Sequence, residues 1–359
     1  PSPSDAPGWK IRSDTVQNDG CRRLSVEGYG GMIMSSWLDR PLTVAGRVLL
    51  RTEDGVETRL VHFDRDLLVI PSLAIHMQRD VNQGHHYNPQ IDMQPLWGPA
   101  DSRTLTDLLC EELGVKAEDI LDRDLQLVTR QAPTVIGPDG QYFMAPRIDD
   151  LECPATTLLG FIEAAAETDS ACAPVWAMLD NEEVGSSSRQ GAQSSFLRDV
   201  LDRILEAIPH SAQMEHRALA NSFMLSADNG HAAHPNFAAK SDPAAPVRLG
   251  GGVVMKYNAS QKYTTNALSG GIFRAICEKA GVPVQTFTNR ADEPGGSTLG
   301  NLQSHSLPIP MADIGLAQLA MHSAVETAAV SDANAMVRAV AAFYRVHLRA
   351  LGDGVYTLA

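Results

Sequence analysis

Hydrophobic and polar positions change rhythm partway along the chain. Over residues 42–50 (LTVAGRVLL) apolar and β-branched residues alternate with small or polar ones, which predicts a strand with one buried face. Residues 59–70 (RLVHFDRDLLVI) hold two more strand-like runs, and Glu53-Asp54-Gly55 between the two stretches supplies hairpin chemistry. Residues 82–102 mix Gly, Pro, Asn and His without a period and read as a long loop, followed by a short helix over 105–113. After about Pro146 strands and helices alternate, the pattern of an α/β layer fold. Helices are predicted over 156–167 and 190–208, a buried strand over 175–179, and further strands over 222–226, 253–257, 282–287 and 309–314. In the last helix Met336, Val340, Phe343 and His347 share one face, with Ser331 or Asp332 as cap and Gly352 as stop.

A length of 359 residues makes two domains the default. No apolar run reaches the roughly 18 residues of a membrane span, and Pro1-Ser2-Pro3-Ser4-Asp5 lacks the basic and apolar regions of a signal peptide. Five scattered cysteines with no Cys-x-x-Cys pair predict reduced thiols, a cytoplasmic setting and no zinc knuckle. The net charge of -14 argues against nucleic acid as a partner, because phosphate binding needs clustered Lys and Arg.

Candidate chemistry gathers after the strands. Leu179-Asp180-Asn181-Glu182-Glu183-Val184-Gly185 puts adjacent carboxylates at a strand end, where ligands collect in α/β folds. Such a pair is either a solvated acidic turn or one metal ligand beside one group facing a water. Asp149 and Asp150 stand just before a helix, so one can cap it while the other binds a metal. Asp228 ends another strand and is followed by His231 and His234, a ligand pair or two exposed loop residues. Met321-His322-Ser323 opens a helix-like stretch in which a lone His is either structural or a ligand. Together these carboxylates and His suit two divalent ions sharing one Asp, roughly 3.5–4 Å apart. The chain has no His-Glu-x-x-His and no Walker loop.

The segments VEGYGG, SSWLDRPLTVAGRV, IPSLAIHM, APRIDDL, DNEEVGSSSRQGA, SADNGHAAHPNF, GGVVMKYNASQKY, GGSTLG and AMHSAVETA run through most of the chain. In order and spacing they resemble the aspartyl aminopeptidase family of two-zinc exopeptidases. The resemblance implies a mixed-sheet, three-layer α/β catalytic domain interrupted by a β-rich domain for dimer and tetrahedral dodecamer assembly. It divides the chain into a catalytic remnant at 1–7, an assembly domain at 8–143 and a metallopeptidase domain at 144–359. It makes Asp149 the bridging ligand, Glu183 and His322 the other ligands of one metal, Asp228 a ligand of the second, and Glu182 the general base. It implies that His76 reaches into a neighbouring subunit's site, that Lys256 faces an acidic substrate side chain, and that His231 and Met321 line the substrate. The metals implied are zinc, with manganese or cobalt as alternatives, and the substrates are peptides with N-terminal Asp or Glu.

One position departs from this pattern. The family's first motif is His-x-Asp-[Ser/Ala]-Pro; Asp5-Ala6-Pro7 fits its end, but the His position is Pro3, which has no ligand atom. Strands and a helix that normally precede the motif are absent. A truncation, a second chain supplying the segment, or a degenerate relative would each produce this. One strong metal site is therefore expected. A metal-dependent amidohydrolase and a non-catalytic assembly subunit stand as alternative functions.

Overall fold

The computed structural model describes the chain except residues 19, 167–171 and 210. It forms two compact units, one of Pro1–Ala6, Pro133–Met321 and Glu326–Ala359, the other of Pro7–Ala132 and His322–Val325. Residues 133–143 thus go with the larger unit, and four residues near the end of the chain go with the smaller.

The smaller unit is built on an antiparallel six-stranded sheet. Its order is Gly55–His62, Leu42–Thr52, Ile120–Thr129, Gly8–Asn18, Cys21–Tyr29 and Leu96–Pro99. The alternation read over residues 42–50 is that of the long strand Leu42–Thr52, whose Leu42, Val44, Val48 and Leu50 are buried with Trp9, Leu24, Leu125 and Leu127. Each such side chain contributes about 1.5–3 kcal/mol by leaving water. The Glu53-Asp54 hairpin turn is present, with Thr52 opposite Gly55. The helix Leu105–Leu113 matches its predicted bounds because both ends are marked: Thr104 and Asp107 form a capping box, and left-handed Gly114 stops it.

The larger unit is a mixed α/β layer structure. Its central sheet runs Met224–Ala227, Met311–Gly315, Val253–Lys256, Val284–Phe287, with one antiparallel pairing between Met311–Gly315 and Val253–Lys256. The backbone of Pro1 accepts a hydrogen bond from Ala227, and Ser2–Pro3 pairs in parallel with Met178–Leu179. Leu225, Ala227, Val253, Met255, Ala312 and Ile314 face one side, buried with Phe273, Cys277, Met336 and Val340 from the helices Ala267–Lys279 and Val330–Arg345. Met224 and Met311 face the other, buried with Leu197 of the helix Phe196–Glu206. The helix Ile148–Ala165 lies against Val330–Arg345, where a Cβ on Gly160 would stand 2.7 Å from the Val337 carbonyl. A second five-stranded sheet carries Gly230–His231, Ala317–Leu319, Glu326–Ala329, Tyr142–Ala145 and Thr134–Ile136.

Several expectations are corrected. The strand expected over 175–179 is only Met178–Leu179, with Val175 and Met178 45% and 47% exposed. The helix expected from residue 190 begins at Phe196, because Gly191 and Ser194 donate to the Ser188 and Gly191 carbonyls in successive turns. The helix read over 156–167 starts at Ile148, and Glu167 lies outside the described residues. The last helix ends at Arg345, and Gly352 belongs to a hairpin of Leu348–Gly352 with Val355–Leu358. Asp332 accepts the Gly250 and Gly252 amides, at 2.8 Å each, instead of capping its own helix. Met321-His322-Ser323 forms a turn before the strand Glu326–Ala329, and no helix starts there.

Candidate metal centre

Two pairs of adjacent acids meet in the larger unit, each delivered by unusual backbone. Asn181, a non-glycine in the left-handed region at φ 60°, turns the chain out of Met178–Leu179 and presents Glu182 and Glu183. Arg147, at φ 58°, does the same before Asp149 and Asp150. Such conformations cost about 1–3 kcal/mol and cluster at functional sites. Asp228 follows directly on Met224–Ala227 and is held in by the neighbouring strand. A Cβ on Gly315 would stand 1.9 Å from the Asp228 carbonyl oxygen, so a side chain there would push the loop away.

The carboxylates converge. Ligand atoms of Asp149, Asp150 and Asp228 lie within 4.8 Å of one another, and so do those of Asp150, Glu182 and Glu183. Asp149, Asp150 and Asp228 are 4%, 1% and 9% exposed. Burial, then the charges of Asp228, Asp149, Glu183 and Glu182, pushes the Asp150 carboxyl well above the usual range. Burial likewise raises Glu182, helped by Asp228, Glu183, Asp149 and Asp5. Asp150 Oδ2 is buried without a hydrogen-bond partner among the described residues. Five crowded oxygen donors and an orphaned carboxylate oxygen fit a bound divalent cation, which would relieve their mutual repulsion.

Asp5 ties the two acid pairs together. Its carboxylate accepts the Glu182 amide at 2.9 Å and the Glu183 amide at 3.2 Å, while its carbonyl accepts the Asp150 amide at 3.2 Å. Behind the cluster, Glu326 accepts the Asp149 amide at 2.9 Å. Gln318 donates to Glu326, and Asn229 donates to Gln318 and to Glu152. None of these supporting roles was assigned from the sequence. Asp5 stood inside a recognised motif, but a lone Glu326 or Gln318 in a strand carries no signal of its own.

The other predicted residues are placed as follows. Lys256 is 2% exposed, and its Nζ lies 3.4 Å from Asp228 Oδ2 and donates to the Asn229 carbonyl at 2.5 Å. The resemblance has Lys256 facing an acidic substrate side chain; in the structure its ammonium lies against Asp228 and the Asn229 carbonyl. His231 is exposed beside Lys240, Asp242 and Arg290, and His234 is half-buried, 5.0 Å from the Phe237 ring. Met321 is half-buried at the end of the larger unit. His322 begins the four residues that go with the smaller unit, in the left-handed region at φ 66°. There its Nδ1 is 2.7 Å from the Gly31 carbonyl. A carbonyl only accepts, so Nδ1 carries the proton and the lone pair sits on Nε2, the tautomer that metal-ligating histidines use. His76, in the smaller unit, is an exposed turn residue.

Comparison with known proteins identifies the family. The family model of aminopeptidase I zinc metalloproteases (M18) matches residues 2–344. The probable M18 family aminopeptidase 2 of Clostridium acetobutylicum is 38% identical over 96% of this chain and 81% of its own length. Its counterpart in Clostridium novyi is 40% identical over 92% of this chain and 77% of its own length. A chain of the cryo-EM structure of the Ape4 and Nbr1 complex superposes with a TM-score of 0.92 at 31% identity, over 96% of this chain and 70% of that one. This chain belongs to the M18 family of zinc metalloproteases, and is a metal-dependent aminopeptidase.

Proposed function

We propose that this chain removes N-terminal residues from peptides at the acidic cluster, with Glu182 as general base. The observation that carries the reading is the convergence of Asp149, Asp150, Glu182, Glu183 and Asp228 at strand ends. Asp149 and Glu183 would hold zinc, and Asp228 borders the same cluster; His322 keeps the ligand role that the family resemblance gives it, with its lone pair on Nε2. Bound zinc supplies a Lewis acid that makes an adjacent water more acidic and polarises the substrate carbonyl. Glu182 then takes the proton from the attacking water and returns it to the departing amine. Its backbone, held by Asp5, fixes where that proton is collected. The neighbouring carboxylates favour a cationic free amino terminus over a blocked one, which makes the enzyme an exopeptidase.

The smaller unit is proposed to assemble copies of the chain, from dimers towards a dodecamer. Its residues Leu73, Ile75 and Met77 flank His76 and are 55%, 47% and 74% exposed, a cluster that a second copy would cover. His76 would then donate a hydrogen bond to the developing oxyanion in the neighbouring copy. His231 and Met321 are proposed to line the peptide.

The test is a peptide panel run on protein whose size is followed by light scattering. Peptides with free amino termini should be cleaved, and the same peptides acetylated at the terminus should not be. A charge-assisted contact is worth about 1.5–3 kcal/mol, tenfold or more in rate. With Lys256 committed to Asp228, Asp and Glu peptides are expected to exceed Ala and Leu peptides by less than about tenfold. Cleavage of acetylated peptides at equal rates contradicts the exopeptidase reading. A fully active monomer contradicts the role of His76.

A further inference from the structure

We propose that Asp313 is the positioning residue for two loops, residues 257–266 and 288–298, which together form one wall of the peptide site. The inference rests on the reading that peptides are cleaved at the acidic cluster. Asp313 takes no part in that chemistry, yet it is fully buried in the central sheet.

Asp313 stands in the strand Met311–Gly315, opposite Ser226 of Met224–Ala227, the strand that Asp228 follows. Both of its carboxylate oxygens are used, and by different loops. Oδ2 accepts the Thr264 amide and, at 2.6 Å, the Thr264 hydroxyl. Oδ1 accepts the Thr298 hydroxyl at 2.6 Å. The Thr265 hydroxyl accepts the Asp313 amide at 2.8 Å, a further bond to the first loop. Each loop follows the carboxyl end of a strand, Val253–Lys256 or Val284–Phe287, where ligands collect in α/β sheets. A buried carboxylate persists only where hydrogen bonds offset the cost of burial, and here those bonds come from the loops. A Cβ on Gly300 would stand 3.0 Å from either Asp313 carboxylate oxygen, so a glycine there lets the end of the second loop close on it.

The first loop reaches the acidic cluster through Tyr263, the neighbour of Thr264. Its ring centre lies 5.6 Å from Lys256 Nζ, and Lys256 is paired with Asp228. Burial raises the Tyr263 phenol pKa above its usual value; Lys256 opposes that, and Asp228, Asp313 and Glu182 add to it. The ring therefore stands in the field of the cluster. The two loops are also tied to each other. Lys262 Nζ donates to the Gly295 carbonyl at 3.1 Å, and Asn301, just past the second loop, donates to the Gln261 carbonyl at 2.8 Å. Gln261 is a non-glycine at φ 57°, a conformation that persists only where its surroundings over-determine it. Releasing Asp313 frees both loops at once and moves Tyr263 relative to the cluster.

The test compares zinc-loaded wild type with Asp313→Ala and Asp313→Asn, well below their unfolding temperatures. Trypsin cuts after Lys262 and Arg290, one in each loop, should come about tenfold faster in Asp313→Ala. Its kcat/KM for a free-amino-terminus peptide should fall by about 10–100-fold at the wild-type zinc content, most of it in KM. Asp313→Asn keeps one acceptor oxygen of two and should recover part of both effects. An unchanged kcat/KM per folded, zinc-loaded Asp313→Ala protein overturns the proposal, even if that protein melts earlier. A loss that follows lost zinc overturns it too. Absence of peptide cleavage by wild type removes the proposal and the peptidase reading together. If neither Asp313 variant folds, Thr264→Val and Thr298→Val each remove one hydroxyl at nearly constant shape. Each should then lower kcat/KM by about 3–10-fold, and two unchanged variants overturn the proposal.

Discussion

Glu182→Gln is expected to lower kcat by about 10²–10⁴-fold while the zinc content stays at the wild-type value. Gln keeps the size and the backbone hydrogen bond to Asp5, so the loop that carries Glu183 should not move. What is lost is a carboxylate able to take the water's proton. Burial and four neighbouring acids raise the proton affinity of Glu182 in the metal-free site, which suits a group that must accept a proton and later release it. The measurement is kcat with bound zinc quantified on the same sample. Loss of zinc, with activity restored at high zinc concentration, would make Glu182 a ligand and end its assignment as base.

Asp5→Ala is expected to damage both stability and turnover, although Asp5 is a positioning residue with no assigned contact to substrate. Two amide hydrogen bonds to its carboxylate disappear, each worth about 1.5–3 kcal/mol. The Glu182-Glu183 turn then loses the anchor that offsets the left-handed Asn181, so the base and a metal ligand drift together. Thermal unfolding should begin several degrees lower, and kcat at saturating zinc should fall by about 10–100-fold. Asp5→Asn keeps one acceptor oxygen and should recover part of the loss. A less stable protein with unchanged kcat at saturating zinc would reduce Asp5 to a purely structural contact.

Much of this site was legible because ligand chemistry needs particular residue types in short segments. Asp149, Glu182, Glu183 and Asp228 were recognisable as acids where strands end, and the structure gathers them in one cluster. Elements with marked ends were equally readable: Thr104 and Gly114 bracket one helix, and Glu53-Asp54 turns one hairpin. Elements defined by distant partners were not. The strands Gly8–Asn18 and Cys21–Tyr29 were missed, since Lys10 and Arg22 interrupt any simple alternation while the pairing itself supplies the order. Asp332 looked like a helix cap because caps and anchors use the same residue types, and only the fold brings Gly250 and Gly252 to it. Lys256 shows the limit at the site itself. Its motif implied a lysine facing an acidic substrate side chain, but its pairing with Asp228 depends on room left by Gly230 and Gly315.

Aminopeptidase activity is expected to reside in a zinc centre built on these carboxylates. The direct measurement is a zinc titration of chelator-stripped protein, with bound zinc and hydrolysis of a free-amino-terminus peptide read on the same samples. Activity should be absent from the stripped protein and rise in proportion to bound zinc, levelling off near one equivalent per chain. Asp149→Ala protein, which lacks one of the proposed ligands, should neither bind the zinc tightly nor recover the rate. Full activity in zinc-free protein, or zinc bound at one equivalent without hydrolysis, would show that the activity does not reside in this centre.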